Sequence, residues 1–424
     1  MNMKQQILRI LVVLPFYGGS LPIGQYCTIA LKDLGHCVEV FDSPSFWGSF
    51  TALKGLHIRN SKLEELEASF LQNISQAIYV KATEIEADLV LCLAQAPVTR
   101  QILKRFKRDN ILTAMWFVED FRLFTYWRNF APYYDFFFVI QKEPFLEELA
   151  SVGVANSCYL PMAALPTFHH PMDLSPMDQK KYGSDISFLG AGYPNRRVAF
   201  RQLTQFQFKI WGNDWDNDCF LRPNVQCDGK RISPEDAVKI YNGTKININL
   251  HSYIKHKPFV SNGDFVNPRT FEIASCEAFQ LVDQRQLLSE LFSENEIATF
   301  TTIEELKEKI QYFLARPEER FVIAERGRRR VLTEHTYQQR MRDLLSYISE
   351  HAVDWPKERA IMSLPDAVST EYKEELKELF NKLKITTDSN FDDIIFAIRQ
   401  ESGVLSPIET SLLFLDEWRK LYKK

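Results

Sequence analysis

Short runs of consecutive apolar residues recur along the chain, separated by stretches with helical spacing. Ile7 to Leu14, Cys37 to Phe41, Asp88 to Leu93, Ile111 to Val118 and Asp135 to Ile140 predict strands. A Gly-bearing loop (Gly18, Gly19, Gly24) leads into a helix that stops at Gly35, and Val98 to Arg108 and Pro144 to Val152 predict two more helices. Strands apolar along their whole length have no solvent face, so they predict a parallel sheet covered by helices on both sides.

The pattern fails after Pro161, where Pro166, Pro171 and Pro176 crowd together, and residues 164–183 read as a linker. A second alternation follows. It runs through strand Asp185 to Leu189, the turn Gly190-Ala-Gly-Tyr-Pro-Asn-Arg-Arg197, helix Val198 to Gln205 and strand Phe208 to Trp211. Helix Ser233 to Asn242, strand Lys245 to Leu250 and helix Arg269 to Glu277 come next, then strands Ala278 to Val282 and Ile297 to Phe300. A helix opened by the capping box Thr302-x-x-Glu305 and one long helical stretch, Glu318 to His351, close the unit. The fold expected is α/β, with two Rossmann-like doubly wound domains (residues 1–163 and 184–353) facing a cleft, and a helical extension over 354–424. In the extension Leu376, Leu379, Phe380 and Leu383 recur at helical spacing, which suits packing on the main body or, alternatively, a docking or dimer contact.

Bulk composition narrows the function. The 424 residues, 45% hydrophobic, can bury two ordinary cores. A net charge of -4 and a pI of about 6.1 give no electrostatic footprint for nucleic acid or an anionic membrane surface. No apolar run approaches the ~18 residues of a membrane span. The N-terminal apolar run is interrupted by Arg9 and lacks a small-residue cleavage site, so it reads as a strand rather than a leader. Seven cysteines without a C-x-x-C pair fit a reducing cytoplasm.

Candidate chemistry concentrates in two neighbouring segments, Lys245-Ile-Asn-Ile-Asn-Leu-His251 and Asn267-Pro-Arg-Thr-Phe-Glu272. A strand running into a helix whose first turns carry Arg269 and Glu272 puts a cation, an anion and an amide beside a strand-to-helix crevice, where phosphorylated ligands bind in open α/β sheets. Arg196 or Arg197, Arg269 and Lys245 are the cations available to phosphate oxygens, and a guanidinium can hold two at once. Glu272 suits vicinal hydroxyls, or else an i, i+3 salt bridge to Arg269. Gly190 and Gly192 admit close backbone approach or simply turn the chain. Asn195, Asn249, His251 and Asn267 are candidate polar contacts, with a satisfied structural role open for His251. In the first half, Gly18 and Gly19 are candidates for an acceptor or phosphate, and Glu119 or Asp120 for a general base or, alternatively, a helix cap. Asp214-Trp-Asp216 has a metal-binding form but sits in a turn-like loop, and no metal or cofactor is expected there. The first loop lacks G-x-G-x-x-G, which weakens a nicotinamide dinucleotide reading.

Gly-Ala-Gly-Tyr-Pro-Asn-Arg-Arg, Phe-Lys-Ile-Trp-Gly-Asn, Lys-Ile-Asn-Ile-Asn-Leu-His, Asn-Pro-Arg-Thr-Phe-Glu and the tail from Arg316-Pro-Glu-Glu to Arg340 together resemble the CgeB-like (spore-maturation) branch of GT-B glycosyltransferases. The resemblance covers about Asp185 to Leu345, and less clearly residues 1–160. It implies a nucleotide-activated sugar as co-substrate in the C-terminal domain and an unknown acceptor (glycan, protein or small molecule) on the N-terminal side. In the retaining E-x7-E motif, Glu272 takes the ribose-holding position and Asp264 stands where the first Glu is usual. A nucleotide-sugar epimerase or another nucleotide-dependent enzyme of this fold, and a non-catalytic nucleotide-sugar binder, are the alternatives. A homo-oligomer through the C-terminal helices is a further expectation.

Overall fold

The apolar runs form two parallel sheets in the computed structural model, which describes residues 7–216, 218–254, 260, 263–356, 370–383, 385, 389–401 and 403–422. The first sheet comprises β1 (Arg9–Val13), β2 (Cys37–Phe41), β3 (Leu89–Leu93), β4 (Leu112–Phe117), β5 (Phe136–Val139) and β6 (Ser157–Tyr159), in the order β2-β1-β3-β4-β5-β6. The second comprises β7 (Ser184–Leu189), β8 (Phe208–Trp211), β9 (Thr244–Asn249), β10 (Gln280–Asp283) and β11 (Ala298–Phe300), in the order β11-β10-β9-β7-β8. Each sheet reverses direction of winding between its first and third strands, the topology that opens a crevice at their carboxyl ends.

The chain divides into two compact units, residues 1–138, 147–158 and 344–424 in one and residues 139–146 and 159–343 in the other. In the second unit Ile186 lies opposite Phe208 on one side and Ile246 on the other. Phe200, Leu203, Leu306 and Ile310 from flanking helices close over these strands, and each fully buried side chain of this size contributes ~1.5–3 kcal/mol.

Three local differences from expectation have physical reasons. Residues 164–183 contain a helix, Pro176–Tyr182, capped by Ser175 and tied to helix Pro234–Gly243 by Lys239–Asp178 (3.2 Å) and by the Tyr182 hydroxyl on Asp236 (2.5 Å). The stretch expected as one helix from Glu318 to His351 is two, Pro317–Glu334 and Tyr337–His351. Between them the His335 carbonyl accepts from Ala164 N and the Tyr337 amide donates to Ala164 O, so Ala164 replaces the helical partners of this segment. A 25-residue helix, Asn60–Glu84, lies where no element was expected.

The C-terminal helices belong to the first unit. Leu376, Leu379, Phe380, Ile394 and Ile398 form their own apolar cluster. Helix Phe391–Gln400 supplies Asp393, 2.8 Å from the Arg9 guanidinium, and both side chains are buried. Glu86 pairs with the same guanidinium at 2.9 Å, so the buried Arg9 of β1 is neutralised from two sides, one of them a helix from the far end of the chain. Among the described residues no helix is long and apolar enough to cross a membrane.

Candidate active site

The crevice of the second unit lies where β7 and β9 end. From β7 the chain passes through Gly190–Tyr193 into helix Pro194–Phe200, and from β9 through Asn249–His251 toward helix Pro268–Ser275. Residues 255–259 and 261–262 of the connecting loop lie outside the described residues.

Helix Pro268–Ser275 begins where it does because Asn267 caps it, its side chain accepting from Thr270 N at 3.2 Å, and Pro268 needs no amide partner in the first turn. The cap is itself held. Asn267 donates to Asn249 Oδ1 (2.7 Å), and Asn249 donates back to Asn267 (3.2 Å) and to Thr270 Oγ1 (2.9 Å). The Asn267 amide donates to His251 Nε2 at 2.9 Å, which leaves Nδ1 as the protonated nitrogen facing Asp283 Oδ1 at 2.6 Å. Burial pushes His251 down to about 4, so the ring is neutral near pH 7. Burial opposes the charge on Asp283, yet His251 and Arg285 hold it below the usual carboxylate range. His251, with both nitrogens engaged and its side chain inaccessible, is therefore a structural histidine and not a donor contact.

Other expected contacts prove to be framework as well. Asn195 is fully buried and clamps the next loop, donating to His251 O and accepting from Tyr253 N, both at 3.0 Å. A side chain at Gly192 would collide with the Asp214 carbonyl, and one at Gly190 with the Phe188 ring, so both glycines are required by the chain's own packing. Arg197 spends its guanidinium on the carbonyls of Gly192, Asp214 and Asp216. Lys245 stands near the start of β9, at the end of the strand away from the crevice, paired with Asp185 at 2.7 Å. It is not part of this site. Asp218 pairs with Arg201 at 3.0 Å, and the Asp214 carboxylate accepts from Asn213 at 2.7 Å.

Arg196, Arg269, Glu272 and Asp264 are the remaining candidates of this unit. Arg196 is 5% exposed, donating to Leu250 O and Ala191 O, each at 2.9 Å, with its guanidinium over the Phe188 ring at 4.9 Å. Burial, and then the nearby charge of Arg269, push it down to about 9. Among the described residues Arg269 makes no ion pair, and its buried Nε has no hydrogen-bond partner. Among the described residues no carboxylate lies within ion-pair distance of either guanidinium. The Arg269–Glu272 salt bridge that helical spacing allows does not form. Glu272 instead accepts from the Tyr241 hydroxyl at 2.9 Å through Oε2, while Oε1 has no hydrogen bond to the described residues. Two neighbouring cations, neither ion-paired among the described residues, suit a polyanion at a helix start. Asp264 is 5% exposed, its Oδ1 accepting from Gln141 (2.9 Å) and from Phe265 N (3.0 Å).

Comparison with known proteins agrees with this architecture. A glycosyl transferase-like family model matches residues 196–346, a span that contains Arg196, Asp264, Arg269 and Glu272. The spore protein CgeB of Bacillus subtilis is 25% identical over 252 residues, 57% of this chain and 76% of that protein. The chain is thus similar to CgeB and carries a glycosyl transferase-like domain. Among solved structures, a glycosyltransferase from Rickettsia africae superposes with a TM-score of 0.54 at 14% identity, over 81% of this chain and 98% of that one. Anabaena HepE in complex with UDP-glucose gives 0.55 at 12% identity, over 81% and 100%. Both likenesses are of the two-domain GT-B fold.

The first unit carries the other candidates. Glu119, just beyond β4, is pushed above the usual carboxylate range by burial, against the hydrogen bonds donated by the Tyr126 hydroxyl (2.9 Å) and Gln95. Asp120 accepts from Arg122 N at 3.0 Å, the turn-forming use of an acid. Gly18, at φ 102, faces the Gln95 side chain, and Gly19 has open space around it at the start of helix Ser20–Asp33. Sequence reasoning missed Asp283, Arg285, Tyr241 and Gln95. Arg285 packs so closely on Gly263 that any side chain there would collide with its guanidinium. The signal for Asp283 was present, since it ends a strand adjacent to the one that ends at Asn249.

Proposed function

We propose that the protein transfers a sugar from a nucleoside diphosphate donor to an acceptor hydroxyl, without a divalent metal and with retention at the sugar carbon. The observation that carries the reading is the pair Arg196 and Arg269, two neighbouring guanidiniums at the switch point of the second sheet with no carboxylate within ion-pair distance among the described residues. Departure of the sugar leaves charge on the diphosphate. Cations already fixed in place stabilise that charge more than they stabilise the intact donor, which lowers the barrier. Two guanidiniums supply the positive charge that a metal ion supplies in other enzymes. Glu272 holds the ribose, its unengaged Oε1 accepting a sugar hydroxyl while Tyr241 fixes Oε2. Asp264, oriented by Gln141, is the acid assigned to the transferred sugar, and its spacing from Glu272 supports retention.

HepE was solved with UDP-glucose, so uridine diphosphate is the first probe. Titration calorimetry with UDP and GDP, with and without EDTA, should show binding of one nucleotide that the chelator leaves unchanged. Hydrolysis of the matching sugar donor, followed by NMR, should release the sugar with its anomeric configuration kept. Binding of neither nucleotide, or loss of binding in EDTA, would overturn the donor reading. An inverted product would overturn retention and move attention to Glu119 as base. Lys245→Ala serves as control and should alter UDP affinity less than about twofold.

A further inference from the structure

The first sheet has its own switch point, where the chain leaves β1 and β3, and a cavity of about 720 Å³ opens there, within the range of small-molecule sites. Phe16, from the loop after β1, and Gln95, from the loop after β3, stand in its wall. Helix Arg100–Arg108 lines another side with Arg100, Gln101 and Lys104. Among the described residues no aspartate or glutamate lines the cavity.

The cations on this helix divide by position. Arg105 and Arg108 turn to Asp109, at 3.9 and 2.8 Å. Arg100 and Lys104, one helical turn apart and both in the cavity wall, have no acid within ion-pair distance among the described residues. Lys104 rests over the Tyr133 ring at 5.2 Å. Aromatic faces at Phe16, Phe130 and Tyr133, with amides at Gln72, Gln95 and Gln101, complete the wall. Flat apolar faces beside amide donors suit a sugar ring, and paired cations suit an anionic substituent on it. Gln95 joins this wall to the chemistry nearby: it is held at φ 68, and its side chain donates to Glu119.

We propose that this cavity binds the acceptor and that the acceptor is an anionic carbohydrate, its phosphate or carboxylate read by Arg100 and Lys104. The inference rests on the glycosyltransferase reading above and adds the acceptor's chemical class. Both cations are exposed, so the double variant Arg100→Gln, Lys104→Gln removes charge without disturbing the core.

The test is titration of the full chain, in the presence of UDP, with glucose 6-phosphate, glucuronate, glucose and inorganic phosphate. At least one of the two charged sugars should bind more tightly than glucose and than phosphate. The double variant should weaken that binding roughly tenfold or more, and leave UDP affinity within about twofold. Equal binding of glucose and both charged sugars, phosphate binding as tightly as the sugars, or an unaffected double variant would each overturn the proposal. UDP binding without any charged-sugar binding would sink the acceptor assignment alone. Failure to bind UDP would instead strike the donor reading.

Discussion

Arg269→Met keeps the length and much of the volume of the side chain while removing its charge, and affinity and stability should respond in opposite directions. Among the described residues the guanidinium makes no ion pair and its buried Nε has no partner, and it repels Arg196. A buried polar atom without a partner costs ~1–3 kcal/mol, so removing it should leave the ligand-free protein as stable as before or more stable by about 1 kcal/mol. A charged hydrogen bond to diphosphate is worth ~1.5–3 kcal/mol, which converts to roughly 10- to 150-fold weaker UDP binding at 1.4 kcal/mol per tenfold. Calorimetry gives the affinity, and thermal melting with and without UDP gives both stabilities. In the variant the ligand-free melting temperature should hold or rise while the increment added by UDP shrinks. An affinity within twofold of the parent, or a fall in ligand-free stability with affinity intact, would refute the argument.

Other predictions draw on separate parts of the molecule. Glu272→Ala should weaken UDP binding and erase any preference for UDP over its 2′,3′-dideoxy form, read by the same calorimetry. Asp393→Ala removes the buried one of two acids paired with Arg9, Glu86 remaining at 2.9 Å, and should cost ~1.5–3 kcal/mol in urea unfolding, with UDP affinity unchanged while the chain is folded. His36, His251 and His335 are all pushed by burial from an ordinary 6.5 down to about 4. The unfolded chain therefore binds protons that the folded chain refuses. Their stabilisation, on the order of 3 kcal/mol each, is present above pH 6.5 and lost as pH falls from 6.5 toward 4. Urea midpoints at pH 7 and pH 5 check the sign, which is wrong if stability rises on acidification.

The sheets were legible because a strand buried on both faces is apolar throughout, as Leu89–Leu93 is, and such a run has few other uses. Helix Asn60–Glu84 was not. It buries only Ile74, Ser75, Ile78, Tyr79 and Ala82 in its second half, leaving the first half with no apolar stripe to read. The break after Glu334 depends on Ala164, and contacts that distant leave no local trace. At the site, the pattern from Arg269 to Glu277 read as a helix, so Arg269 and Glu272 could be placed in its first turns from sequence alone, whereas Asn267, read only as a polar contact, is its cap. Their lack of a mutual salt bridge could not be foreseen, because Tyr241 on another helix takes Glu272. The role of His251 was settled by Asp283, 32 residues further on. Lys245 was misplaced by a rule the sequence already offered: in a parallel sheet only the carboxyl end of a strand faces the crevice, and Lys245 is near the other end.

The most direct test is diffraction from crystals soaked in UDP. Density for the diphosphate should lie against Arg196 and Arg269, at the start of helix Pro268–Ser275, with the ribose hydroxyls on Glu272. Nucleotide bound elsewhere in the chain, with both guanidiniums bare, would contradict the account.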